Sequence, residues 1–228
     1  MILTIPNLLD RDTVASLRKR LDAPDAPWVD GRVSAGYSGA PVKINQQTDE
    51  LSRLAIEAGD EVLSFLERNP LFISFAVPNQ VYPPMFNRYG EGMTFGSHVD
   101  GAVRISPATG RKIRADMSIT VFLADPSEYD GGELTIEDTY GVHEVKLPAG
   151  DAVVYPATSV HHVKPITRGV RVGCFFWIQS LVRDDAQRSI LYDLDQSIQR
   201  LNATSADDHA RRTLVGCYHN LLRQWSDT

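Results

Sequence analysis

The spacing of apolar residues changes twice along the 228-residue chain. Between residues 8 and 67, and again between 184 and 225, apolar positions recur every three or four residues, which is the period of an amphipathic helix. Between about 81 and 180 they form short runs divided by turn residues, which is typical of strands. The pattern therefore predicts a β-rich core flanked by helices on both sides.

The N-terminal zone predicts two helices joined by a long connection. Asp10 can cap the first helix and Thr48 the second, with acidic Asp49 and Glu50 in its first turn. Residues 28–47 between them are rich in Gly and Pro, and are longer than most connections. We interpret residues 33–47 as a lid over a ligand site, with Lys43 and Asn45 facing substrate. The second helix carries an apolar stripe: Leu51, Leu54, Ala55, Ala58, Val62, Phe65 and Leu66.

The middle zone predicts many short strands. Residues 117–123 alternate between apolar and hydroxyl side chains, the pattern of a half-buried strand, whereas the apolar run 170–178 must be buried on both faces. Turns are expected at 130–132 and 148–151, before strands at 133–137 and 152–155. The number and spacing of these strands predict a jelly roll, also called a double-stranded β-helix, with a ligand-binding mouth between its sheets.

The C-terminal zone predicts a helical hairpin with a polar turn at 202–208. Its apolar stripes could pack on the barrel or form a homodimer through the C-terminal helices, and the sequence leaves both options open. We accordingly divide the chain into an N-terminal helical support with the lid loop (1–80), a jelly-roll core (81–180) and a C-terminal helical extension (181–228).

Composition limits the class of protein. Hydrophobic residues make up 43% and charged residues 23%, as in ordinary globular proteins. The formal net charge of -6, with scattered basic residues, argues against nucleic-acid binding. Two cysteines, both in core-like contexts, cannot form a disulfide framework. No apolar run is long enough for a membrane span, and the N-terminus lacks the basic region of a secretion signal, so we expect a cytoplasmic protein.

Two short motifs carry candidate metal chemistry. In His98-Val99-Asp100 the first and third side chains of a strand point to the same side, which supplies two members of a 2-His-1-carboxylate iron(II) triad. His161 and His162 point to opposite faces of a later strand, so only one of them can be a ligand. Taken singly, each histidine is more often a hydrogen-bonded core or surface residue than a metal ligand.

Arg171 lies ten residues after His161 within an otherwise apolar strand. A buried guanidinium is costly unless an anion neutralises it, and its planar fork suits a carboxylate. An internal Asp or Glu would satisfy Arg171 equally well, but its position after the histidine motifs favours a dicarboxylate ligand.

These motifs and several others resemble those of the bacterial PKHD-type hydroxylases, which are iron(II)- and 2-oxoglutarate-dependent oxygenases similar to the catalytic domain of prolyl 4-hydroxylases. The likeness covers nearly the whole chain. The matching stretches include Phe86-Asn87-Arg88-Tyr89, His98-Val99-Asp100-Gly101, Tyr129-Asp130-Gly131-Gly132-Glu133, Leu147-Pro148-Ala149-Gly150-Asp151 and Phe176-Trp177-Ile178-Gln179-Ser180.

The resemblance implies a set of site residues and a reaction. His98, Asp100 and His161 are implied as iron(II) ligands, Arg171 as the 2-oxoglutarate anchor, and Tyr89 as a cosubstrate contact on the strand beside the metal motif. A packing role is the equal alternative for Tyr89. The implied reaction uses dioxygen and converts 2-oxoglutarate to succinate and carbon dioxide while hydroxylating an unidentified small-molecule or peptide substrate. Ascorbate is an optional accessory reductant.

Two other functions are compatible with a jelly roll. One is a cupin-like metal enzyme or zinc hydrolase, although cupins usually present more histidines and a Glu, and neither class needs Arg171. The other is a ligand-binding module without turnover. The substrate is not identifiable from the sequence, because a fold does not fix the substrate.

Overall fold

Two antiparallel β-sheets that share one hydrophobic core form the centre of the computed structural model, which describes residues 1–139, 141–204 and 207–227. The larger sheet has the spatial order β1 (Leu3–Ile5), β14 (Ala152–Pro156), β10 (Met117–Phe122), β17 (Arg171–Ser180), β6 (Met85–Tyr89), β4 (Gln46–Thr48) and β2 (Trp28–Asp30), with β5 (Pro78–Val81) paired to β17. The smaller sheet has the order β13 (Gly141–Val145), β12 (Leu134–Asp138), β15 (Val160–Val163), β7 (Thr94–His98) and β3 (Lys43–Ile44).

Two ribbons and five helices complete the described structure. The ribbons pair β11 (Tyr129–Gly131) with β16 (Ile166–Gly169), and β8 (Val103–Ile105) with β9 (Lys112–Arg114). The helices are α1 (Arg11–Leu21), α2 (Arg53–Leu66), α3 (Pro70–Ala76), α4 (Asp185–Thr204) and α5 (Asp208–Trp225). The predicted jelly roll with flanking helices is thereby confirmed, and α3 is an addition that the sequence analysis missed.

The helix starts depend on local capping. Asp10 caps α1 as predicted, accepting a hydrogen bond from the Thr13 backbone N–H at 2.7 Å. The prediction that Thr48 caps the second helix is wrong: α2 is capped by Ser52, whose hydroxyl accepts from the Ala55 N–H at 3.2 Å. Thr48 is instead the last residue of β4, fully buried opposite Trp28. Thr48 is a suitable helix-capping residue by type, but the pairing of β4 with β2 places it in a strand instead.

Residues 28–47 are more ordered than the predicted loop. They contain β2, β3 and β4, which extend both sheets, and two 3-10 turns at Gly31–Ser34 and Ala40–Val42. Apart from Asn45, which separates β3 from β4, the segment 31–42 is the part of these residues that lies outside the sheets, so the part of the chain that can act as a lid is shorter than predicted.

Strand β10 lies centrally in the larger sheet, and all six of its residues are buried, so the prediction of a half-buried strand is wrong. Its apolar residues share the core with buried residues of α1 and α2. Ser118 and Thr120, which would normally face solvent in such a pattern, line the cavity between the sheets instead. The run predicted to be buried on both faces is β17, which pairs with β10, β6 and β5.

The C-terminal helices form the predicted hairpin. Helix α4 packs on α3 and α5, and Ser74 of α3 donates a hydrogen bond to Asp195 of α4 at 2.6 Å. The predicted turn at 202–208 is displaced because α4 continues to Thr204; residues 205 and 206 lie outside the described residues.

Cys174 is buried as expected, whereas Cys217 on α5 is exposed. The homodimer stays a prediction, and none of the described helices is long and apolar enough to cross a membrane.

Candidate metal and cosubstrate site

The candidate metal site begins with two histidines on paired strands. His98 ends β7 and His161 lies in β15, and the antiparallel register places the two residues directly opposite each other. Directly paired residues have close Cβ atoms on one face of a sheet. The two imidazole ring centroids are accordingly 4.3 Å apart.

Asp100 completes the cluster from just beyond the end of β7. One of its carboxylate oxygens lies 3.9 Å from His98 Nε2, and the other lies 3.6 Å from His161 Nε2. The hydroxyl of Ser118, on β10 of the opposite sheet, donates to the second oxygen at 2.6 Å. The carboxylate is thus held between the two sheets by a hydrogen bond that no sequence motif indicated.

Both imidazoles present the same nitrogen to the cluster. His98 Nδ1 lies 2.8 Å from the Gly96 carbonyl oxygen, and His161 Nδ1 lies 3.0 Å from that of Ser159, so each Nδ1–H donates to backbone. Each Nε2 is then left with a lone pair, as a metal ligand requires. Burial, reinforced by the nearby His161, lowers the pKa of His98 to about 4, so this imidazole is neutral at neutral pH.

Packing fixes the orientation of the rings. Phe95 stacks on His98 with a centroid separation of 3.6 Å and an interplanar angle of 17°, and Tyr155 meets His161 edge-on at 5.1 Å. His162 pairs with Thr135 of β12 and does not line the cavity. Within the described residues, His98, Asp100 and His161 are the group of acidic, cysteine and histidine side chains arranged to hold a metal.

These three residues fit iron(II). Their ligand atoms lie within 4.8 Å of one another, and the donor set is two imidazole nitrogens and one carboxylate oxygen. This set is the facial triad of non-haem iron oxygenases, which leaves coordination positions free for other ligands. The absence of a cysteine ligand distinguishes the cluster from most structural zinc sites.

Arg171 lies at the inner end of the same cavity. It is only 2% exposed, and its Nε has no hydrogen-bond partner. No carboxylate of the described residues lies within salt-bridge distance of it; its guanidinium carbon instead lies 5.4 Å from the Tyr89 ring centroid and 5.3 Å from that of Phe122. The buried cation therefore needs an anionic ligand.

Tyr89 lies opposite Arg171 on β6, which belongs to the larger sheet. As predicted, Tyr89 lies on the strand that precedes the metal motif in the chain, although β6 and β7 belong to different sheets, and its contact with the cosubstrate stays a prediction. Tyr89 lines the cavity beside Arg171, and burial raises the pKa of its hydroxyl, which stays protonated.

One cavity of about 210 Å³ is lined by the metal cluster, Ser118, Tyr89 and Arg171. Its outer rim is formed by the 31–42 segment, Lys43, Arg104 and Trp177. Of the two residues predicted to face substrate, Lys43 lines the cavity, whereas Asn45 is buried outside the lining. Ser118, Arg104 and Trp177 were not predicted as site residues. Of these three, only Trp177 could have been predicted from sequence spacing: it lies six residues after Arg171, and therefore points to the same face of the same strand.

Comparison with known proteins defines the class. Residues 84–179 match the sequence profile of the 2OG-Fe(II) oxygenase superfamily. The fold is shared with a prolyl-4-hydroxylase from Pseudomonas putida (TM-score 0.52, 20% identity, covering 78% of this chain and 92% of that one). It is also shared with HygX from Streptomyces hygroscopicus, solved with nickel, 2-oxoglutarate and hygromycin B bound (TM-score 0.53, 15% identity, covering 78% and 82%).

The family is defined by nearer relatives. Residues 185–227 match the PKHD-type hydroxylase C-terminal domain. The PKHD-type hydroxylase of Cupriavidus metallidurans is 69% identical over 228 residues, and that of Stenotrophomonas maltophilia is 55% identical over 227; both alignments cover 100% of each chain. The chain belongs to the PKHD-type hydroxylases, and is an enzyme of the 2-oxoglutarate- and iron(II)-dependent kind.

Proposed function

We propose that this hydroxylase couples the oxidative decarboxylation of 2-oxoglutarate to the hydroxylation of a C–H bond, with iron held by His98, Asp100 and His161. The substrate R–H, dioxygen and 2-oxoglutarate give R–OH, succinate and carbon dioxide. One oxygen atom enters the new hydroxyl group and the other enters succinate, so atoms and electrons balance. Family membership supports the reaction class, while the residue roles and the substrate are our inference.

The observation that carries the proposal is the pairing of two features in one cavity. Three metal-binding side chains converge within 4.8 Å, and a buried arginine without a carboxylate partner among the described residues lines the same cavity. A dicarboxylate that also binds metal satisfies both features, because one end can reach the metal while the other pairs with Arg171. Neither feature alone distinguishes an oxygenase from other metal proteins.

When bound, iron(II) supplies the activation of dioxygen. The chain's own residues position the reactants. Arg171 binds the distal carboxylate of 2-oxoglutarate through its planar fork, and the rings of Tyr89 and Phe122 exclude water around that charge pair. Phe95 and Tyr155 hold the ligand imidazoles in place, and Ser118 holds Asp100. Preorganisation of this kind aims the reaction at one C–H bond.

The size of the cavity bears on the substrate. At about 210 Å³ it is smaller than the pockets that enclose whole drug-sized ligands, which start at about 300 Å³. We infer that 2-oxoglutarate fills much of it, so that the substrate is small or inserts only one group.

The test is an anaerobic titration of the metal-free protein with iron(II) and 2-oxoglutarate, in which the weak visible absorption band of a metal-chelated 2-oxoacid is recorded. We expect the band in the wild type, its loss in Asp100→Ala, and a 2-oxoglutarate affinity at least about a hundredfold lower in Arg171→Ala, since a buried charge pair is lost. Arg88→Ala is the matched control: Arg88 stacks on Trp28 outside the cavity, so its band should be unchanged.

Two results would contradict the proposal. If no band forms although iron binds, or if the protein prefers zinc, the site is that of a cupin-like enzyme or a hydrolase. If the band forms but neither succinate nor uncoupled oxygen consumption is detected with any substrate tried, the protein is a ligand-binding module. Omitting ascorbate from the same assays would show whether it has any accessory role.

A further inference from the structure

Two cations lie at the outer part of the cavity, away from Arg171. Lys43 is 3% exposed, and its Nζ lies 5.2 Å from the Phe95 ring centroid and 5.5 Å from that of Phe175. Arg104, on β8, stacks on Trp177 with its guanidinium carbon 4.2 Å from the ring centroid. The two cations share a neighbour: the Lys43 ammonium donates to the Ser34 hydroxyl at 3.0 Å, and Arg104 donates to the Ser34 carbonyl oxygen at 3.1 Å.

Neither cation has a carboxylate partner within 4.0 Å among the described residues. Three acids lie in the wider neighbourhood, and each is already engaged. Asp100 belongs to the metal cluster, Asp30 pairs with Arg32, and Glu50 accepts a hydrogen bond from Tyr82 at 2.8 Å. Burial, and next the charge of Arg104, lower the pKa of Lys43 to about 8, as expected of a cation without a counter-ion.

Lys43 and Arg104 each have N–H groups that are not used in hydrogen bonds to the protein. Lys43 donates to Ser34 and to Gln47, and a lysine ammonium has three N–H groups. Arg104 donates to the Ser34 carbonyl oxygen and also lies beside the Tyr82 hydroxyl, and a guanidinium has five N–H groups. Trp177, which is 5% exposed and also lines this part of the cavity, has a buried Nε1–H without a partner. Holding Ser34 in place therefore uses only part of this donor set.

The cosubstrate does not account for these donors. 2-Oxoglutarate has two carboxylates, and in the proposed function one pairs with Arg171 and the other binds the metal with the adjacent keto group. Arg171 lies six residues before Trp177 on β17, which places the Cα atoms of these two lining residues about 20 Å apart along the strand. The outer cations are left for the other reactant.

We propose that the substrate to be hydroxylated is a carboxylate-bearing molecule with an apolar or aromatic body, whose carboxylate binds between Lys43 and Arg104. This inference rests on the proposed function and deepens it. The rings of Phe175 and Trp177 flank the cations and supply the apolar contact. Phe95 links the two sites, since it touches the Lys43 ammonium on one side and stacks on the ligand His98 at 3.6 Å on the other. The Phe95 ring thereby lies between the carboxylate-binding ammonium of Lys43 and the metal ligand His98.

The experiment uses the whole chain loaded anaerobically with iron(II) and saturating 2-oxoglutarate. Matched pairs of a carboxylic acid and its primary amide are titrated in: propionate and propionamide, 3-phenylpropionate and 3-phenylpropionamide, hippurate and hippuramide. Binding is followed by the change in the visible 2-oxoglutarate band. We expect at least one acid to shift the band and to bind at least about tenfold more tightly than its amide, which is the worth of one charge-assisted contact.

Substitutions identify the groups responsible. In Lys43→Met and Arg104→Met the preference for the acid should fall to about twofold or less, whereas 2-oxoglutarate affinity should change little. Arg88→Met is the matched control, because Arg88 also stacks on a tryptophan without a carboxylate partner but lies outside the cavity lining; it should retain the preference. Thermal unfolding of each variant checks the fold, and the partly exposed Arg104 provides the safer of the two substitutions.

The outcomes separate this inference from the proposed function. If no 2-oxoglutarate band forms in the wild type, the proposed function itself is wrong. If the band forms and depends on Arg171, but no acid binds more tightly than its amide, only the carboxylate inference is wrong. It is equally wrong if Lys43→Met and Arg104→Met weaken 2-oxoglutarate as much as Arg171→Ala does, because the cations would then bind the cosubstrate. An acid that abolishes the band, instead of shifting it, has displaced 2-oxoglutarate and also counts against the inference.

Discussion

His98 and His161 face each other across the ladder between β7 and β15, with their ring centroids 4.3 Å apart and each Nδ1 bonded to a backbone carbonyl. The two residues are far apart in sequence, so strand pairing alone brings their Nε2 atoms together. A metal site built on paired strands is held by the backbone hydrogen bonds of the sheet, and needs no ordering of loops for these two ligands.

Replacing His161 should abolish tight metal binding, whereas replacing its neighbour His162 should not. His161→Ala removes one of three ligands, while His162 alternates to the other side of β15 and does not line the cavity. We expect His161→Ala to lose at least about a hundredfold in iron(II) affinity and His162→Ala to stay within about threefold of wild type. Anaerobic calorimetric titration would measure both; equal losses in the two variants would contradict the site.

Ser118→Ala should weaken metal binding without unfolding the protein. The Ser118 hydroxyl donates to Asp100 at 2.6 Å and orients its carboxylate, and loss of such a partner typically costs about tenfold or more in metal affinity. Ser74→Ala is a close control, because Ser74 is also buried and donates to a carboxylate, that of Asp195, at 2.6 Å but on the helices. A comparable loss of iron(II) affinity in both variants would mean that the effect is a general one on stability.

Lys43→Met should stabilise the protein at neutral pH, and the gain should disappear at high pH. Burial lowers the pKa of Lys43 from 10.5 to about 8, so between these values the unfolded chain binds more protons than the folded one and stability rises with pH. Below pH 8 the cost of the buried charge is fully present, at most about 3 kcal/mol; near pH 10.5 and above it is gone.

The measurement compares urea unfolding of the Lys43→Met variant and the wild type from pH 7 to pH 10.5. The control is Lys164→Met: Lys164 hydrogen-bonds to Glu144, which raises its pKa, so its contribution to stability is lost as pH rises. An advantage of Lys43→Met that is independent of pH would contradict the prediction, since it would reflect packing alone.

Gly169→Ala should be far more destabilising than Gly92→Ala, although both glycines have φ of +76°. The left-handed backbone alone costs a non-glycine residue about 1–2 kcal/mol, which is the expected cost at Gly92, where a Cβ would meet open space. At Gly169 the Cβ would lie 2.1 Å from the Glu128 carbonyl oxygen, so the backbone between β11 and β16 must move. Denaturant unfolding of the two variants would test this; similar free energies would contradict it.

Part of the site could be predicted from the sequence, because it depends on the properties of short stretches of neighbouring residues. Alternation along a strand places His98 and Asp100 on one side and separates His161 from His162. The cost of an unpaired buried charge singles out Arg171 in an apolar run. The structure brings these residues into one cavity, although Asp100 lies just past the end of β7 and not within a strand as the pattern assumed.

The rest depends on contacts between distant parts of the chain. Thr48 and Ser52 both fit the N-cap of a helix, and only the pairing of β4 with β2 decides between them. Ser118 alternates with apolar residues in the pattern that normally faces solvent, and nothing in β10 itself shows that a second sheet encloses it. Arg104 lies on a short ribbon whose position over Trp177 follows from tertiary packing.

Strand β17 carries Arg171 at its first residue and Phe175 and Trp177 on the same face, so one uninterrupted stretch of backbone separates the cosubstrate anchor from the outer wall of the cavity. The covalent spacing of residues along this strand therefore fixes the distances between Arg171, Phe175 and Trp177. Other lining residues come from the 31–42 turns and the segment after Asp100, which are not part of β17. A single-residue insertion in β17 between Arg171 and Trp177 would turn one of these two side chains out of the cavity, whereas a change in the length of the 31–42 turns would leave their spacing along the strand intact.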